Sequence, residues 1–365
     1  MDIYLKREAL LKPLQALSGI VEKKQTLPIL SNVLLTIKEN QLLLIGTDLE
    51  MELIGFVSLE SKQAEGSVTV SARKLCDICR TLPEGVVLRL SLEKNYLVVR
   101  AGESFFMLNT LPAEEFPHLE ENKYHIQLKL KQPALKNLFT KTYFAMAQQD
   151  VRHYLNGTFL EIGHHTIKCV AADGHRLAFS SLRDENIGEI EAQIILPRKS
   201  VLEMIRLLDS EEEVSLAINE NRFCMTTADY IFTSKLISAQ YPDYNRLIPR
   251  GKITAMGDRE VIKQALTRAS ILSNEKFRGV RFQLESNKLR ITANNSDQEQ
   301  AEEAVPLAYE GNQIEIGFNV AYLLDVVSTI TAKTIRCIFT DSNSGVLIES
   351  SEDDQSLYVV MPMRL

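Results

Sequence analysis

Three stretches of the chain share one pattern of apolar and polar positions. In each, a run rich in apolar residues is followed by a short polar turn and a second such run, which ends in a small residue and Asp or Asn. This pattern is typical of two strands joined as a β-hairpin. The hairpins are predicted over residues 34–48, 159–173 and 281–294.

A helix is predicted before and after each hairpin. Apolar residues recur there at steps of three and four, which places them on one face of a helix. The clearest examples are Leu10, Leu14, Leu17, Ile262, Leu266 and Ala269. The six predicted helices span residues 7–18, 71–81, 131–145, 197–208, 258–272 and 319–331.

The order helix, strands, helix, strands therefore occurs three times. Equivalent landmarks, among them Pro117, Pro242 and Pro362, lie 120 to 126 residues apart. Three unrelated α+β domains would not keep one register across strands, helices and prolines. Because an antiparallel sheet must bury one apolar face, we predict an α+β fold with two helices packed on the sheet of each domain. The predicted domains are 1–125, 126–252 and 253–365.

The net charge hides an uneven distribution. The 365 residues include 41 Lys and Arg against 48 Asp and Glu, a net charge of −7, and 45% are hydrophobic. This composition argues for a globular protein and against a compact basic nucleic-acid domain. The six predicted helices, however, carry fourteen basic and six acidic side chains.

A basic helical surface binds a polyanion through its phosphates without reading a sequence. Solvated helix faces are also often basic, so the charge alone leaves both interpretations open. Two basic pairs, Arg73 with Lys74 and Arg198 with Lys199, occupy the same position in successive repeats. Their recurrence favours the polyanion.

Cysteine usage and the N-terminus indicate the compartment. The five cysteines are odd in number and lack paired spacings, which favours a reducing cytosol. Residues 1–7 carry charge where a signal peptide would be apolar, and the longest apolar runs are too short to span a bilayer. We therefore expect a cytoplasmic protein that does not enter a membrane.

Five segments resemble those of a known family. They are residues 47–52 (TDLEME), 150–157 (DVRHYLNG), 173–178 (DGHRLA), 273–280 (SNEKFRGV) and 361–365 (MPMRL). Together with the three tandem units, they are similar to the bacterial DNA polymerase III beta subunit family, the sliding clamps. The resemblance covers essentially the whole chain.

The resemblance implies a head-to-tail homodimeric ring of clamp domains, with helices lining a hole for double-stranded DNA and sheets outside. The partners that it implies are the polymerase III catalytic subunit, the clamp loader complex, and other polymerases and repair proteins that dock through short peptides. No active site, metal ion or cofactor is expected. The ring would hold the polymerase on DNA by topology.

Three sets of site residues follow from the resemblance. The DNA contacts are Lys24, Arg73, Gln149, His153, Tyr154, Arg198 and Lys199. The hydrophobic peptide pocket and its border are Leu155, Ala172, Gly174, His175, Arg176, Leu177, Pro242, Arg246, Leu247, Asn319, Tyr322, Ser344, Val359, Val360, Met361, Pro362, Met363 and Arg364. The dimer interface is Phe106 and Leu108 against Ile271 and Leu272, with Glu299, Glu302 and Glu303 near Lys74 and Arg100.

Several residues also admit other interpretations. Cys76 and Cys79 have a spacing used for zinc or redox chemistry, but without a second pair core packing is favoured. A three-domain hydrolase using Asp173, His175 and Arg176 is the alternative function, although no nucleophile elbow or phosphate loop accompanies them. The acidic stretch 297–303, taken alone, is typical of a solvated helix or loop. The pair His164 and His165 is predicted in a hairpin turn facing solvent.

Overall fold

The computed structural model describes residues 1–21, 27–60, 64–119, 123–353 and 355–364. They form two compact units. The first is Met1–Gln132 with Leu202–Leu236, and the second is Pro133–Val201 with Ile237–Leu365. The second repeat therefore contributes to both units, and the division into 1–125, 126–252 and 253–365 stays a prediction.

Each repeat contains eight strands and two helices within the described residues. The first has β1 (Asp2–Lys6), α1 (Arg7–Leu17), β2 (Asn32–Lys38), β3 (Gln41–Thr47), β4 (Met51–Ser58), β5 (Gly66–Ser71), α2 (Ala72–Thr81), β6 (Val87–Glu93), β7 (Tyr96–Ala101) and β8 (Ser104–Leu111). The second has β9 (Ile126–Lys131), α3 (Gln132–Thr140), β10 (Gly157–Gly163), β11 (Thr166–Ala172), β12 (Arg176–Arg183), β13 (Ala192–Pro197), α4 (Arg198–Leu207), β14 (Glu213–Ile218), β15 (Arg222–Thr226) and β16 (Tyr230–Lys235). The third has β17 (Ile253–Asp258), α5 (Arg259–Ile271), β18 (Gly279–Glu285), β19 (Lys288–Asn294), β20 (Gln300–Pro306), β21 (Ile314–Asn319), α6 (Val320–Thr329), β22 (Thr334–Phe339), β23 (Val346–Ser350) and β24 (Ser356–Val360).

All six predicted helices are confirmed, and five have both ends within two residues of the prediction. The exception is α3, which ends at Thr140 and is followed by a 3₁₀ turn at Tyr143–Ala145. The Thr142 hydroxyl donates to the carbonyls of Leu138 at 3.2 Å and Phe139 at 3.3 Å. Such local side-chain bonds compete with the helical ladder, and they accompany the early end of α3.

Capping and amphipathic spacing explain where α5 begins and which face it buries. The Asp258 carboxylate accepts the backbone N–H groups of Glu260 and Val261 at 2.9 and 3.1 Å, as an N-cap residue does. Ile262 and Leu266 are at most 4% exposed, as the three- and four-residue steps predicted. The helix is therefore held by its buried stripe as well as by its cap.

The strands pair antiparallel throughout the described ladders. The first unit contains a twelve-stranded sheet in the order β1-β6-β7-β8-β5-β2-β3-β4-β16-β15-β14-β9. The second contains an eight-stranded sheet, β13-β10-β11-β12-β24-β23-β22-β17, and a four-stranded sheet, β20-β19-β18-β21. Neither long sheet is confined to one repeat.

Two strand pairs join successive repeats. The fourth strand of the first repeat, β4, pairs with the eighth strand of the second, β16, with Leu53 opposite Phe232. The fourth strand of the second repeat, β12, pairs in the same way with the eighth strand of the third, β24, with Leu177 opposite Val359. The same junction therefore occurs twice along the chain.

One sequence interpretation in the third repeat was wrong. The acidic stretch 297–303 is neither helix nor solvated loop over its second half, because Gln300–Pro306 forms β20. Alternate side chains there are more buried, ending with Val305 at 2% exposure. The third hairpin ends at Asn294 as predicted, and the turn after it is stabilised by Asn295, whose side-chain oxygen accepts the backbone N–H groups of Asp297 and Glu299 at 3.0 Å.

The cysteine and histidine pairs lie where expected, with one qualification. Cys76 and Cys79 are buried free thiols within α2, and burial raises the pKa of Cys79 to about 12. His164 is exposed in the turn between β10 and β11, whereas His165 is only partly exposed and lies 3.5 Å from Glu185.

No helix in the described parts of the chain is long and apolar enough to cross a membrane.

The buried stripe of α5 generates a stability prediction. Leu266→Ala, at a site 1% exposed, should lower the free energy of unfolding by about 2–5 kcal/mol through lost burial and a cavity. The matched change Val261→Ala, at a site 44% exposed on the same helix, should cost less than about 1 kcal/mol. Urea unfolding followed by circular dichroism measures both, and equal losses would contradict the assignment of the buried face.

Candidate functional site

The predicted peptide-pocket residues lie in the second unit, at two depths. Leu155, Ala172, Leu177 and Val359 belong to one buried apolar cluster, and none is more than 5% exposed. Val360 is fully buried. Because β12 pairs with β24, this cluster joins side chains of the second and third repeats. We call these five buried residues the floor of the predicted pocket.

Other predicted pocket residues present their side chains to solvent. Leu247 is 53% exposed and Met361 is 43% exposed. Pro242 is exposed as well. The Arg246 guanidinium is exposed and donates to Asp243 at 3.0 Å. Two exposed apolar side chains, called the apolar rim below, and an exposed cation therefore lie in the same unit as the floor.

Backbone hydrogen bonds hold the C-terminal segment. The Met361 N–H donates to the carbonyl of His175 at 2.8 Å, and the Met363 N–H donates to the carbonyl of Gly317 at 2.8 Å. Pro362 lies between these two anchors, while Arg364 is exposed. The segment is thus fixed in place up to Met363.

The border residues Asn319 and Ser344 stabilise turns. Asn319 caps α6 by accepting the N–H of Ala321 at 2.9 Å. The Ser344 hydroxyl donates to Asp341 at 3.1 Å. Both side chains therefore have a local role beside any contact with a partner.

The turn at Asp173 removes the main argument for a hydrolase. One carboxylate oxygen accepts the backbone N–H groups of His175 at 2.9 Å and Arg176 at 3.0 Å, and the other accepts Nε of Arg176 at 3.0 Å. Gly174 has a φ of 90°, which favours glycine. The His175 ring is instead stacked with Tyr322, with 6.3 Å between centroids. Asp173 shapes a turn, and its hydrogen bonds do not form a catalytic dyad.

The Arg176 guanidinium is bound on every side. Besides Asp173, it pairs with Asp325 of α6 and donates to the Phe144 carbonyl at 2.7 Å. Its central carbon lies 4.4 Å from the Tyr322 ring centroid, a cation–π distance. Since these partners come from three segments, Arg176 joins them rather than projecting a free cation.

Two neighbours of the pocket were missed from the sequence. Phe277 is 58% exposed and lines a cavity of about 400 Å³ together with Met363 and Arg364. The second is Arg152, whose guanidinium lies so close to Gly174 that a Cβ added to that glycine would be 2.8 Å from it. Phe277 and Arg152 lie within residues 273–280 and 150–157, two of the segments that carried the family resemblance. An aromatic residue and an arginine in those segments were the signal by which they could have been predicted.

The predicted DNA contacts are distributed over both units. Arg73 lies in the first unit on α2 with its side chain 70% exposed, whereas Gln149, His153, Tyr154, Arg198 and Lys199 lie in the second. Gln149 and His153 are exposed, but Tyr154 is half-buried with its ring edge against Tyr241. Lys24 lies outside the described residues.

The helices carry the basic excess that the sequence predicted. With the observed bounds, the six helices of the described residues hold twelve Lys and Arg side chains and five Asp and Glu side chains. Some of the cations are neutralised nearby, as Lys12 is by Asp229 at 2.5 Å. The excess nevertheless remains positive against a chain whose net charge is −7.

The predicted dimer residues differ in accessibility. Ile271, at the end of α5, is 74% exposed, and Leu272 beside it is half-buried. In β8, Phe106 is half-buried and Leu108 is 9% exposed, so they face the core of the unit more than solvent. Lys74 is exposed on α2.

The acidic partners in this set already have bonds within the chain. Glu303 accepts both ends of the Arg268 guanidinium at 2.7 Å, which lowers the pKa of its carboxyl. Glu302 pairs with Arg290. Glu299 accepts the side-chain amide of Asn295 at 2.6 Å. Pairing with Lys74 and Arg100 would have to compete with these contacts.

Three family models together match nearly the whole chain. They are the N-terminal, central and C-terminal domains of the DNA polymerase III beta subunit, over residues 1–120, 129–243 and 245–364. The "Beta sliding clamp" of Pseudomonas putida is 49% identical and that of Escherichia coli 45%, each over 100% of both chains. The crystal structure of the DNA polymerase III subunit beta from Pseudomonas aeruginosa matches with a TM-score of 0.96 at 49% identity, over 100% of both chains.

The ion pair next to Gly174 generates a pH prediction. The Arg152 guanidinium and backbone N–H donate to Asp150 and lower its pKa to about 2. Because the unfolded pKa is about 3.9, the pair stabilises the fold at neutral pH, and this contribution is lost as the pH falls from about 4 to about 2. Arg152→Gln should raise the Asp150 pKa in an NMR titration of its carboxyl carbon, and an unchanged pKa would contradict the assigned cause.

Proposed function

The chain belongs to the DNA polymerase III beta subunit family, and on that basis we propose that it acts as a sliding clamp. Two copies form a ring that encircles duplex DNA and confers processivity on the replicative polymerase. The same ring serves as a docking hub for the clamp loader complex and for repair polymerases. Its site of action is the cytoplasm.

The observation that carries the proposal is the repeated strand junction. The pairs β4–β16 and β12–β24 each join the fourth strand of one repeat to the eighth strand of the next. By the same rule, β20 and β8 remain to be joined, and β8 pairs with β5 only through Thr110 and Leu111. Exposed strand edges otherwise favour aggregation. A second copy, arranged head to tail, supplies both missing partners and closes the assembly.

The charge distribution supports DNA as the polymer inside the ring. Phosphate contacts from basic helices are independent of sequence and give dissociation constants of about 10⁻⁴–10⁻⁶ M. Such contacts permit sliding but do not retain the protein on DNA. Closure of the ring therefore supplies the retention, while the acidic remainder of the chain disfavours DNA binding elsewhere.

The apolar rim supports docking of short peptides. Exposed Leu247 and Met361 offer adaptable apolar contacts above a rigid floor, and Arg246 offers a charged group for orientation. We expect peptides with a Gln followed by Leu and Phe residues to bind there. The polymerase III catalytic subunit, the clamp loader and other polymerases are the partners that would carry them.

The proposed activity requires no chemistry from this chain. A clamp acts by closure and by binding, so the chain is a polymerase accessory subunit. The ATPase that opens and closes the ring would reside in the clamp loader. Replacing His175 should therefore reduce partner binding and leave no turnover to abolish.

Dimer formation tests the strand-junction argument. Light scattering should give a mass of twice 41.3 kDa for the protein. Ile271→Asp introduces a charge at a residue 74% exposed and should yield the 41.3 kDa monomer without loss of folding. The control Val261→Asp, on the same helix, should remain dimeric. A monomer for the unmodified protein at all working concentrations would contradict the ring.

Substitutions at the rim test peptide docking. Leu247→Ala and Met361→Ala should each weaken binding of a fluorescein-labelled Gln-Leu-Phe-type peptide about fivefold to thirtyfold, because each removes about 1–2 kcal/mol of apolar contact. Leu92→Ala, at an exposed residue of β6, is the control and should leave binding unchanged. Fluorescence polarisation measures the affinities, and equal affinities for all four proteins would exclude this rim as the docking site.

A further inference from the structure

Arg73 and Arg198 occupy the same position in successive repeats but have different surroundings. The Arg73 side chain is 70% exposed and lies 3.6 Å from Asp77 on its own helix. The Arg198 guanidinium is half-buried, and Nη1 donates to the carbonyls of Tyr143 at 3.3 Å and Met146 at 3.1 Å. Burial and the nearby Arg176 lower the pKa of Arg198. Both repeats therefore have an arginine at this position, but only the arginine of the second repeat binds backbone carbonyls.

The segment that Arg198 holds is also held by Arg176. Between the two carbonyls bound by Arg198 lies Phe144, whose own carbonyl accepts Nη2 of Arg176 at 2.7 Å. The Phe144 ring centroid lies 5.4 Å from the same guanidinium. The short segment of residues 143–146 is thus bound by two arginines through three of its four carbonyls, those of Tyr143, Phe144 and Met146.

Arg176 carries this constraint to the wall of the peptide pocket. Its guanidinium lies over the Tyr322 ring at 4.4 Å, and Tyr322 stacks with His175. His175 in turn accepts the N–H of Met361 through its carbonyl. A continuous set of contacts therefore runs from the start of α4 to the residues that border the pocket.

These groups line an open depression in the surface of the second unit. It has a volume of about 580 Å³ and is lined by both arginines, Tyr322, His175 and other residues of the second unit. Side chains that line an open depression have fewer packing contacts on that side, so the hydrogen bonds of the two guanidinium groups contribute to their placement. Loss of the Arg198 hydrogen bonds should therefore change the positions of Tyr322 and His175.

We propose that Arg198 is a positioning residue for the partner-binding pocket. By holding the carbonyls of Tyr143 and Met146, it fixes the segment against which Arg176 aligns Tyr322 and His175. This role rests on the proposed docking function of the pocket. It does not require DNA, which separates it from the contact with DNA that the family resemblance assigns to Arg198.

Peptide affinity measured without DNA tests this role. Arg198→Ala should weaken binding of the labelled Gln-Leu-Phe-type peptide about three- to tenfold, a size typical of coupling through a network. Arg198→Lys keeps the charge but lacks the planar fork and should lose part of the affinity. Arg183→Ala, which removes an exposed cation from the same unit, should bind as the unmodified protein does. Equal affinity in the Arg198 and Arg183 variants would overturn the proposal.

A double-mutant cycle with Arg176→Ala distinguishes positioning from general destabilisation. If Arg198 acts through Arg176, Arg198→Ala should cost less affinity in the Arg176→Ala background than in the unmodified protein. Additive losses would overturn the relay. Thermal midpoints and dimer mass are measured for every variant, and Arg198→Lys carries the test if the alanine variant does not fold.

The two proposals fail in different ways. If the unmodified protein does not bind the peptide, the docking function itself is contradicted. If it binds and Arg198→Ala binds equally well, only the positioning role is contradicted.

Discussion

Backbone pairing between the fourth strand of one repeat and the eighth strand of the next is the interaction on which the rest of the molecule depends. It occurs at β4–β16 and at β12–β24, and it makes continuous sheets out of separate repeats. The second junction places Leu177 opposite Val359 and so contributes to the buried cluster beneath the proposed peptide pocket. Extended to β8 and β20, the same rule leads from a linear chain to a closed dimer.

The sequence was a sufficient guide where local physics decides the outcome. Apolar residues at intervals of three and four predicted the six helices, and two apolar runs around a polar turn predicted each hairpin. Both patterns depend on side chains that are near in sequence. The error over residues 297–303 came from charge, because β20 has an acidic residue on each side, Glu302 on the exposed side and Glu303 on the side that ends in buried Val305. Ala301 and Val305 lie on that more buried side, but Glu303 between them interrupts the apolar alternation.

The surroundings of individual charged residues could not be predicted in the same way. Arg73 and Arg198 are equivalent by repeat, yet only the structure shows that Arg198 donates to the carbonyls of Tyr143 and Met146. Likewise, Glu302 and Glu303 have partners within their own chain. Such pairings depend on distant segments brought together by the fold, and periodicity carries no information about them. The pocket floor was predicted through the family resemblance rather than through the pattern.

Under the proposed function, retention on DNA comes from ring closure and not from affinity. The direct measurement loads the protein with a clamp loader onto nicked circular duplex DNA and compares its dwell time there with that on the same DNA after linearisation. Topological retention predicts a long dwell time on the circle and rapid loss from the free ends. Equal rates of loss from circular and linear DNA would contradict the account.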